Sequence, residues 1–488
     1  MKHLLVCLML CVGIVSSESH AEELPWRVGV AVVDITPPVG WRRAGGYTEV
    51  ISTGVHDPLV AKALVISQGD THCAIVSNDL CSVPLELTAK ARLQASQATG
   101  IPVEHIVIVA THTHGGPEYY GPLRDVLHAR ALQQQGRDPQ EPIDYQAQLV
   151  ERWVDVTRRA RAAQRDATLS VVVPHQLGLA FNRRYLMKDG STGWIPDKLN
   201  PQIFRPLGPT DPELPFVLAR ETKTDKPFAA LTVFAMHTAI YGDPPFGACY
   251  PGYLQSRLRS VLDAPGLISL FGEGCAGDVN HIDVSSGDPQ TGAAYSDQVA
   301  TSLAQTIQNA LPFSRPIATE LAIRSTVVHA PVVKISEDEY RRAKAILESL
   351  DQNQADFLVV VDAWRKMFCH TFWEKYNGQL PQEVQAIRLD SDTAIVALPH
   401  EVFTELGLAI KSGSPFRTTI VLSLANDLDF YIPTMRAFEE GHYEPTSCPL
   451  VPGCGERLVE TAVTLLQDLK ALSDDSASAI TLQKSDPK

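Results

Sequence analysis

Ile106-Val107-Ile108-Val109-Ala110-Thr111-His112-Thr113-His114-Gly115-Gly116-Pro117 is the stretch from which the rest of the chain is read. Five β-branched or small apolar residues in a row describe a buried strand, and Gly115-Gly116-Pro117 stops it. If extended geometry persists through the threonines, His112 and His114 project from one face at the strand's C-terminal end. Open α/β sheets place ligands and catalytic groups at that end. Two neutral imidazoles on one face are half of a zinc site. The structural alternative is a hydrogen-bonded pair of histidines in a turn.

Working outward, residues 26–35, 59–67 and 73–77 have the pattern of strands. Between the first two lies a glycine-rich stretch, residues 40–47 (GWRRAGGY), which lets backbone approach a ligand but is no phosphate loop. Asp79 follows the third strand, either as partner to a metal-bound histidine or as a cap for the helix expected over residues 84–98. Downstream, residues 118–142 show neither helical nor strand periodicity and are expected to wall or cover a site. A charged helix over residues 145–165 and a strand over 169–180 lead into Phe181-Asn182-Arg183-Arg184-Tyr185. Paired arginines there can grip an anion or form surface salt bridges.

The histidine pattern recurs. A second apolar strand, residues 229–235, ends in His237, so two buried strands bring imidazoles to a common rim. A third, residues 267–271, runs into Gly272-Glu273-Gly274-Cys275-Ala276-Gly277-Asp278-Val279-Asn280-His281. This reads as an active-site loop or as a tight turn whose Asp and Asn bond their own backbone. Residues 393–398 form another strand, ending in Pro399-His400-Glu401. Thr404 stands where an HExxH zinc helix needs its second histidine, so that motif fails, while Glu401 remains a candidate ligand. A strand over 418–424 precedes Asn426, Asp427, Asp429 and Tyr431. Helices are expected over residues 253–262, 293–310, most of 336–373 (a structural or lid element) and 456–472, with an alternating strand over 318–333. The fold class is α/β: mixed β-sheets with flanking helices forming one large catalytic domain, residues 22–472, with a metal site at strand ends.

At the N-terminus, Lys2 and His3 precede an apolar run too short to span a bilayer, then Ser19-His20-Ala21. Residues 1–21 are expected to be a signal peptide cleaved near Ala21, giving a secreted or periplasmic protein. The Ser/Asp/Lys-rich residues 473–488 are expected to be a disordered tail. With 56 acidic and 42 basic residues and a formal charge of −14, the 488-residue chain is a poor candidate for nucleic acid. No second apolar stretch suggests a transmembrane segment. Of nine cysteines, the seven beyond the leader are too scattered for a disulfide framework, although Cys448 and Cys454 could close a small loop.

THTHGGP, FAMH (234–237), GCAGDVN (274–280), ALPHE (397–401) and NDLDFYIPT (426–434), in that order, resemble the catalytic region of the neutral/alkaline non-lysosomal ceramidases. The similarity runs over roughly residues 27–472. It implies a zinc ion held by His112, His237, Glu401 and Tyr431, with His114 and Arg183 contacting substrate. The substrate it implies is a ceramide-like lipid amide.

Two histidines and a carboxylate would leave the ion an open position for water, whose pKa binding lowers towards ~7. Tyr431 would ligate the ion or stabilise an oxyanion, and Asp79 or Asp278 would orient a metal-bound imidazole. The chain departs from the family's ceramide-cleaving members in having Asn280 in place of a serine assigned a direct role. Asparagine cannot be an acyl nucleophile, yet its amide can donate to an oxyanion, so a metal-hydroxide route survives the change. The family's additional C-terminal β-sandwich also has no counterpart in residues 473–488. The reading is a secreted zinc-dependent hydrolase of an N-acyl amide or related ester. The alternatives are a metal hydrolase for a glycan or phosphoester, or a non-catalytic zinc-containing binding protein.

Overall fold

The computed structural model describes residues 24–318, 320–349, 356–428 and 430–483, the last eleven of these by backbone alone. The expected signal segment and Asp429 lie outside the described residues.

The β-branched runs sit where the alternation of buried side chains predicts. A nine-stranded sheet takes the order Ile268–Glu273, Pro227–Phe234, Phe216–Glu221, Arg165–Val172, Trp26–Asp34, Val60–Gln68, Thr71–Asn78 and Ile106–Ala110, with Arg315–Ile317 pairing to Arg165–Val172. Its pairs are antiparallel except at the two ends, where Pro227–Phe234 runs parallel to Ile268–Glu273 and Thr71–Asn78 parallel to Ile106–Ala110. Twist curls this sheet until its halves meet: Lys62 Nζ donates to Ser269 O at 2.9 Å and Ser77 Oγ to Phe271 O at 2.5 Å.

A second sheet, Ala322–Pro331, Gln379–Arg388, Thr393–Ala397 and Thr418–Leu422, packs on the inner face of the first. One apolar core joins them, with Val28, Ile75, Val107 and Leu231 from the large sheet meeting Ile387, Ile395, Ile420 and Leu422 from the small one. Helices cover the outer faces. Leu85–Thr99 and Tyr145–Ala162 lie on one half of the large sheet and Tyr250–Val261 and Gly292–Ala310 on the other. Phe357–Tyr376, Thr404–Gly413 and Cys454–Gln483 cover the small sheet.

Several expectations change. Residues 118–142, read as aperiodic, contain the helix Gly121–Gln135, whose Leu123, Leu127 and Ala131 are buried at a spacing of four. The expected strand over 318–333 is Ala322–Pro331, and Arg315–Ile317 belongs to the other sheet. The closing helix passes Leu472, where a disordered tail was expected to begin, and continues to Gln483. All seven cysteines of the described residues are buried and unbridged, Cys448 and Cys454 included. No helix among the described residues is long and apolar enough to cross a membrane.

Candidate metal centre

The strand Ile106–Ala110 stops before Thr111, and His112 adopts a left-handed backbone with φ 61°. The expected extended run through the threonines is thus broken. A β-carbon in that region is crowded, so the conformation must be held by its surroundings. Here Thr111 N donates to Asn78 O at 2.8 Å and His114 N to Thr238 O at 3.0 Å. The bend brings the imidazoles together by their edges, with Nε2 of His112 and His114 3.4 Å apart. His237 follows Pro227–Phe234, and its ring centroid is 4.6 Å from that of His112.

Glu401 arrives from the other sheet. Beyond Thr393–Ala397, His400 turns with φ 66°, and Glu401–Val402 pairs in parallel with Tyr431–Ile432, placing Glu401 opposite Tyr431. Gly277 N donates to Val402 O at 3.0 Å, so the small-residue loop after Ile268–Glu273 buttresses this strand. Glu401 Oε2 lies 3.3 Å from His112 Nε2 and 3.0 Å from His237 Nε2. All three residues are buried.

Main-chain carbonyls fix the tautomers. His112 Nδ1 donates to Cys81 O at 2.9 Å, and His237 Nδ1 donates to Ala276 O at 2.9 Å and Val279 O at 3.1 Å. Each Nε2 is thereby turned towards Glu401 Oε2, and that of His237 also faces a terminal nitrogen of Arg183 at 3.2 Å. Two imidazole nitrogens and a carboxylate oxygen thus converge on one point. Donors ~2.05 Å from a tetrahedral zinc stand about 3.3 Å apart, close to the spacing found. His112, His237 and Glu401 fit such an ion.

The same charges set the ionisation. Burial opposes protonation of His112, but Glu401 outweighs it and holds the pKa well above the ordinary value. For Glu401, burial is outweighed by His112, which keeps the carboxylate well below its usual range. Burial, aided by Arg183, pushes His237 down to about 3. His114 is lowered well below its usual value by burial and by the two neighbouring imidazoles.

The other predicted residues divide. Tyr431 is brought to the centre, its ring stacked 6.4 Å from that of His237 and its hydroxyl 3.4 Å from that of Tyr443. His114 and Tyr431 line a cleft with Tyr47, Trp364, Phe368 and Tyr443. A larger cavity of ≈ 1670 Å³ between the helices Gly121–Gln135, Glu337–Glu348 and Phe357–Tyr376 shares Tyr120, Gly121 and Phe368 with that cleft.

Arg183 does not line the cleft. Its Nε donates to Glu444 Oε1 at 2.9 Å, one terminal nitrogen to Gly277 O at 2.8 Å, and the other lies 3.2 Å from His237 Nε2. A buried guanidinium must be paired; Glu444 pairs this one, which stands beside the nitrogen His237 turns towards Glu401. Asp79 and Asp278 do not touch the imidazoles. Asp79 accepts from Val60 N and Thr111 Oγ1, Asp278 from Thr404 N and Asn182 Nδ2, and carbonyls take the orienting role expected of them. Asn280 Oδ1 accepts from Ile282 N at 3.0 Å and the residue is not part of the cleft wall, so it serves a turn rather than an oxyanion. Sequence reasoning missed Glu444, which is fully buried between Arg183 and Arg184. It also missed Glu273, 3.9 Å from His237 Nδ1 and pushed by burial up to about 8.

No family model matches the chain. A stretch of 120 residues is 31% identical to the neutral ceramidase of Pseudomonas aeruginosa, spanning 23% of this chain and 18% of that relative. The crystal structure of neutral ceramidase from Pseudomonas aeruginosa superposes with a TM-score of 0.67 at 16% identity, covering 93% of this chain and 75% of the other. A ceramidase complexed with C2 does so with the same TM-score and identity, covering 76% of that chain. The chain has the fold of the neutral ceramidases and is related to them.

Proposed function

We propose that the protein is a zinc-dependent amidohydrolase of the neutral ceramidase type, exported from the cell, which cleaves the carbonyl–nitrogen bond of an N-acyl lipid amide or a related ester. The observation that carries this is the convergence of two buried imidazole nitrogens on a buried carboxylate oxygen, at 3.0 and 3.3 Å, beside an open cleft. A bound zinc supplies a Lewis acid and an acidified water at neutral pH. His112, His237 and Glu401 would hold it, and the carbonyls of Cys81 and Ala276 keep the two imidazoles in the tautomer that could ligate it. His114, neutral in its burial, presents its ring to the substrate from the cleft floor. Tyr431, whose phenol is held protonated by burial, either completes the ligand set or donates to the developing oxyanion. Tyr47, Trp364, Phe368 and Tyr443 give the cleft aromatic walls, and the adjoining cavity leaves room for an aliphatic chain.

The test is metal analysis of the purified protein together with a panel of amide, ester, phosphoester and glycoside substrates that includes ceramide. About one zinc per chain is expected, with amide hydrolysis lost on chelation and restored by zinc. His112→Ala and His237→Ala should lose metal and activity together. Hydrolysis that withstands exhaustive chelation would overturn the proposal. Export is tested by sequencing the N-terminus of protein recovered outside the cytoplasm, with a start near residue 22 expected.

A further inference from the structure

The glycine-rich stretch after the first strand has no part in the metal ligand set, yet it lies against it. Ala44 N donates to Gly116 O at 2.9 Å, and Arg43 forms a β-bridge with Pro117. Ala44, Gly45, Gly46 and Tyr47 supply one wall of the cleft. The Arg43 side chain turns inward: Nε donates to His114 O at 2.6 Å, one terminal nitrogen to Tyr241 O at 3.0 Å and the other to Asp243 O. One guanidinium thereby ties the segment carrying His112 and His114 to the segment following His237.

We propose that this loop is a working part of the site, with Arg43 a positioning residue that fixes His114 and Gly45 the position whose missing side chain lets the loop lie against the imidazole. A Cβ on Gly45 would stand 2.5 Å from His114 Cβ, 2.6 Å from Cγ and 2.7 Å from Nδ1. Those atoms are the root of the side chain and the near edge of its ring, and since the Cβ is fixed by the backbone, His114 could yield only by a shift of its main chain or of the loop. Gly45 also has φ +97°, a conformation L residues rarely adopt. His114 is thus held on three sides: its N–H by Thr238 O, its carbonyl by Arg43 and its side chain by Gly45. The planar fork of arginine reaches three carbonyls at once, which a lysine's single nitrogen cannot reproduce from one point. Displacing a substrate-facing group by about 1 Å costs roughly 100-fold in rate.

The inference rests on the proposed role of His114 at the substrate, so its experiment has two arms. In the first, metal content and hydrolysis of a fluorescent ceramide are measured for Arg43→Gln, Arg43→Lys and Gly45→Ala. Zinc should stay at the wild-type level, since none of the ligands is touched. For Arg43→Gln and Gly45→Ala, kcat should fall about 10- to 100-fold while KM changes less, with Arg43→Lys in between. Unchanged kcat in both variants, or loss of metal in step with activity, overturns the inference. In the second arm, ring ¹⁵N signals of the metal-loaded protein are compared, that of His114 being identified by its absence in His114→Gln. It should move in Arg43→Gln and Gly45→Ala while those of His112 and His237 stay in place, and a His114 signal that does not move overturns the inference. If the wild-type protein cleaves no amide, the proposed activity fails by itself, and the second arm still decides the clamp.

Discussion

Gly277 and Tyr431 carry the predictions that belong to single residues. A Cβ on Gly277 would stand 2.4 Å from the carbonyl oxygen of Glu401, an atom of main chain that cannot step aside. Gly277→Ala should therefore shift Glu401 and weaken zinc binding by about 10- to 100-fold, read by competition with a chelator, at a cost in stability of about 1–3 kcal/mol. Unchanged zinc affinity would show that the strand Glu401–Val402 absorbs the added methyl. Tyr431→Phe removes one hydroxyl and keeps the packing. Its kcat should drop on the order of 10²–10³-fold if the phenol donates to the oxyanion, with the metal retained; loss of zinc instead would identify Tyr431 as a ligand. The histidines were legible in sequence because each ends a buried apolar run. The carbonyls of Cys81 and Ala276 were not, since a main-chain acceptor has no residue-type signature.

Between elements, the ion cluster of Glu444 with Arg183 and Arg184 joins the strands Phe181–Asn182 and Arg184–Met187 to the short helix Tyr443–Ser447. Glu444→Gln leaves two buried guanidinium groups short of a counter-charge and should destabilise the fold by about 3–5 kcal/mol in urea unfolding. A change below about 1 kcal/mol would mean that Glu440, 3.2 Å from Arg184, takes over the pairing. The helix Gly121–Gln135 illustrates a different gap. Its buried face is one narrow row, Leu123, Leu127 and Ala131, with Arg124, Asp125 and three successive glutamines among its other positions. So thin a stripe is hard to separate from a loop without knowing that the helices Glu337–Glu348 and Phe357–Tyr376 lie beside it. The paired arginines misled in the opposite direction, because burial of both depended on a glutamate some 260 positions away.

For the molecule as a whole, pH acts through several buried carboxyls, Glu273 and Asp79 among them, and Asp427 is another. Burial raises its carboxyl to about 7, opposed by the N–H groups of Leu428 and Leu85 and the charge of Lys375. A raised carboxylate pKa means that the folded state keeps a proton which the unfolded state releases. Between about pH 4 and 7 this group therefore makes stability fall as pH rises, by about 1.4 kcal/mol per unit at most. Asp427→Asn should make that part of a stability–pH curve shallower, and a slope unchanged by the substitution would rule Asp427 out as a contributor. The layered α/β architecture and the strand-end location of the site could be read from periodicity. The way the large sheet curls, and the second sheet's seat upon it, depend on contacts between distant segments such as Lys62 and Ser269 that no local pattern encodes.

The centre draws His112 and His237 from the large sheet and Glu401 from the small one, across most of the chain's length. A nascent chain that has emerged only as far as residue 300 has both imidazoles but lacks the carboxylate that completes the set. A site made of these three residues would thus be complete only once the C-terminal third has been synthesised and docked.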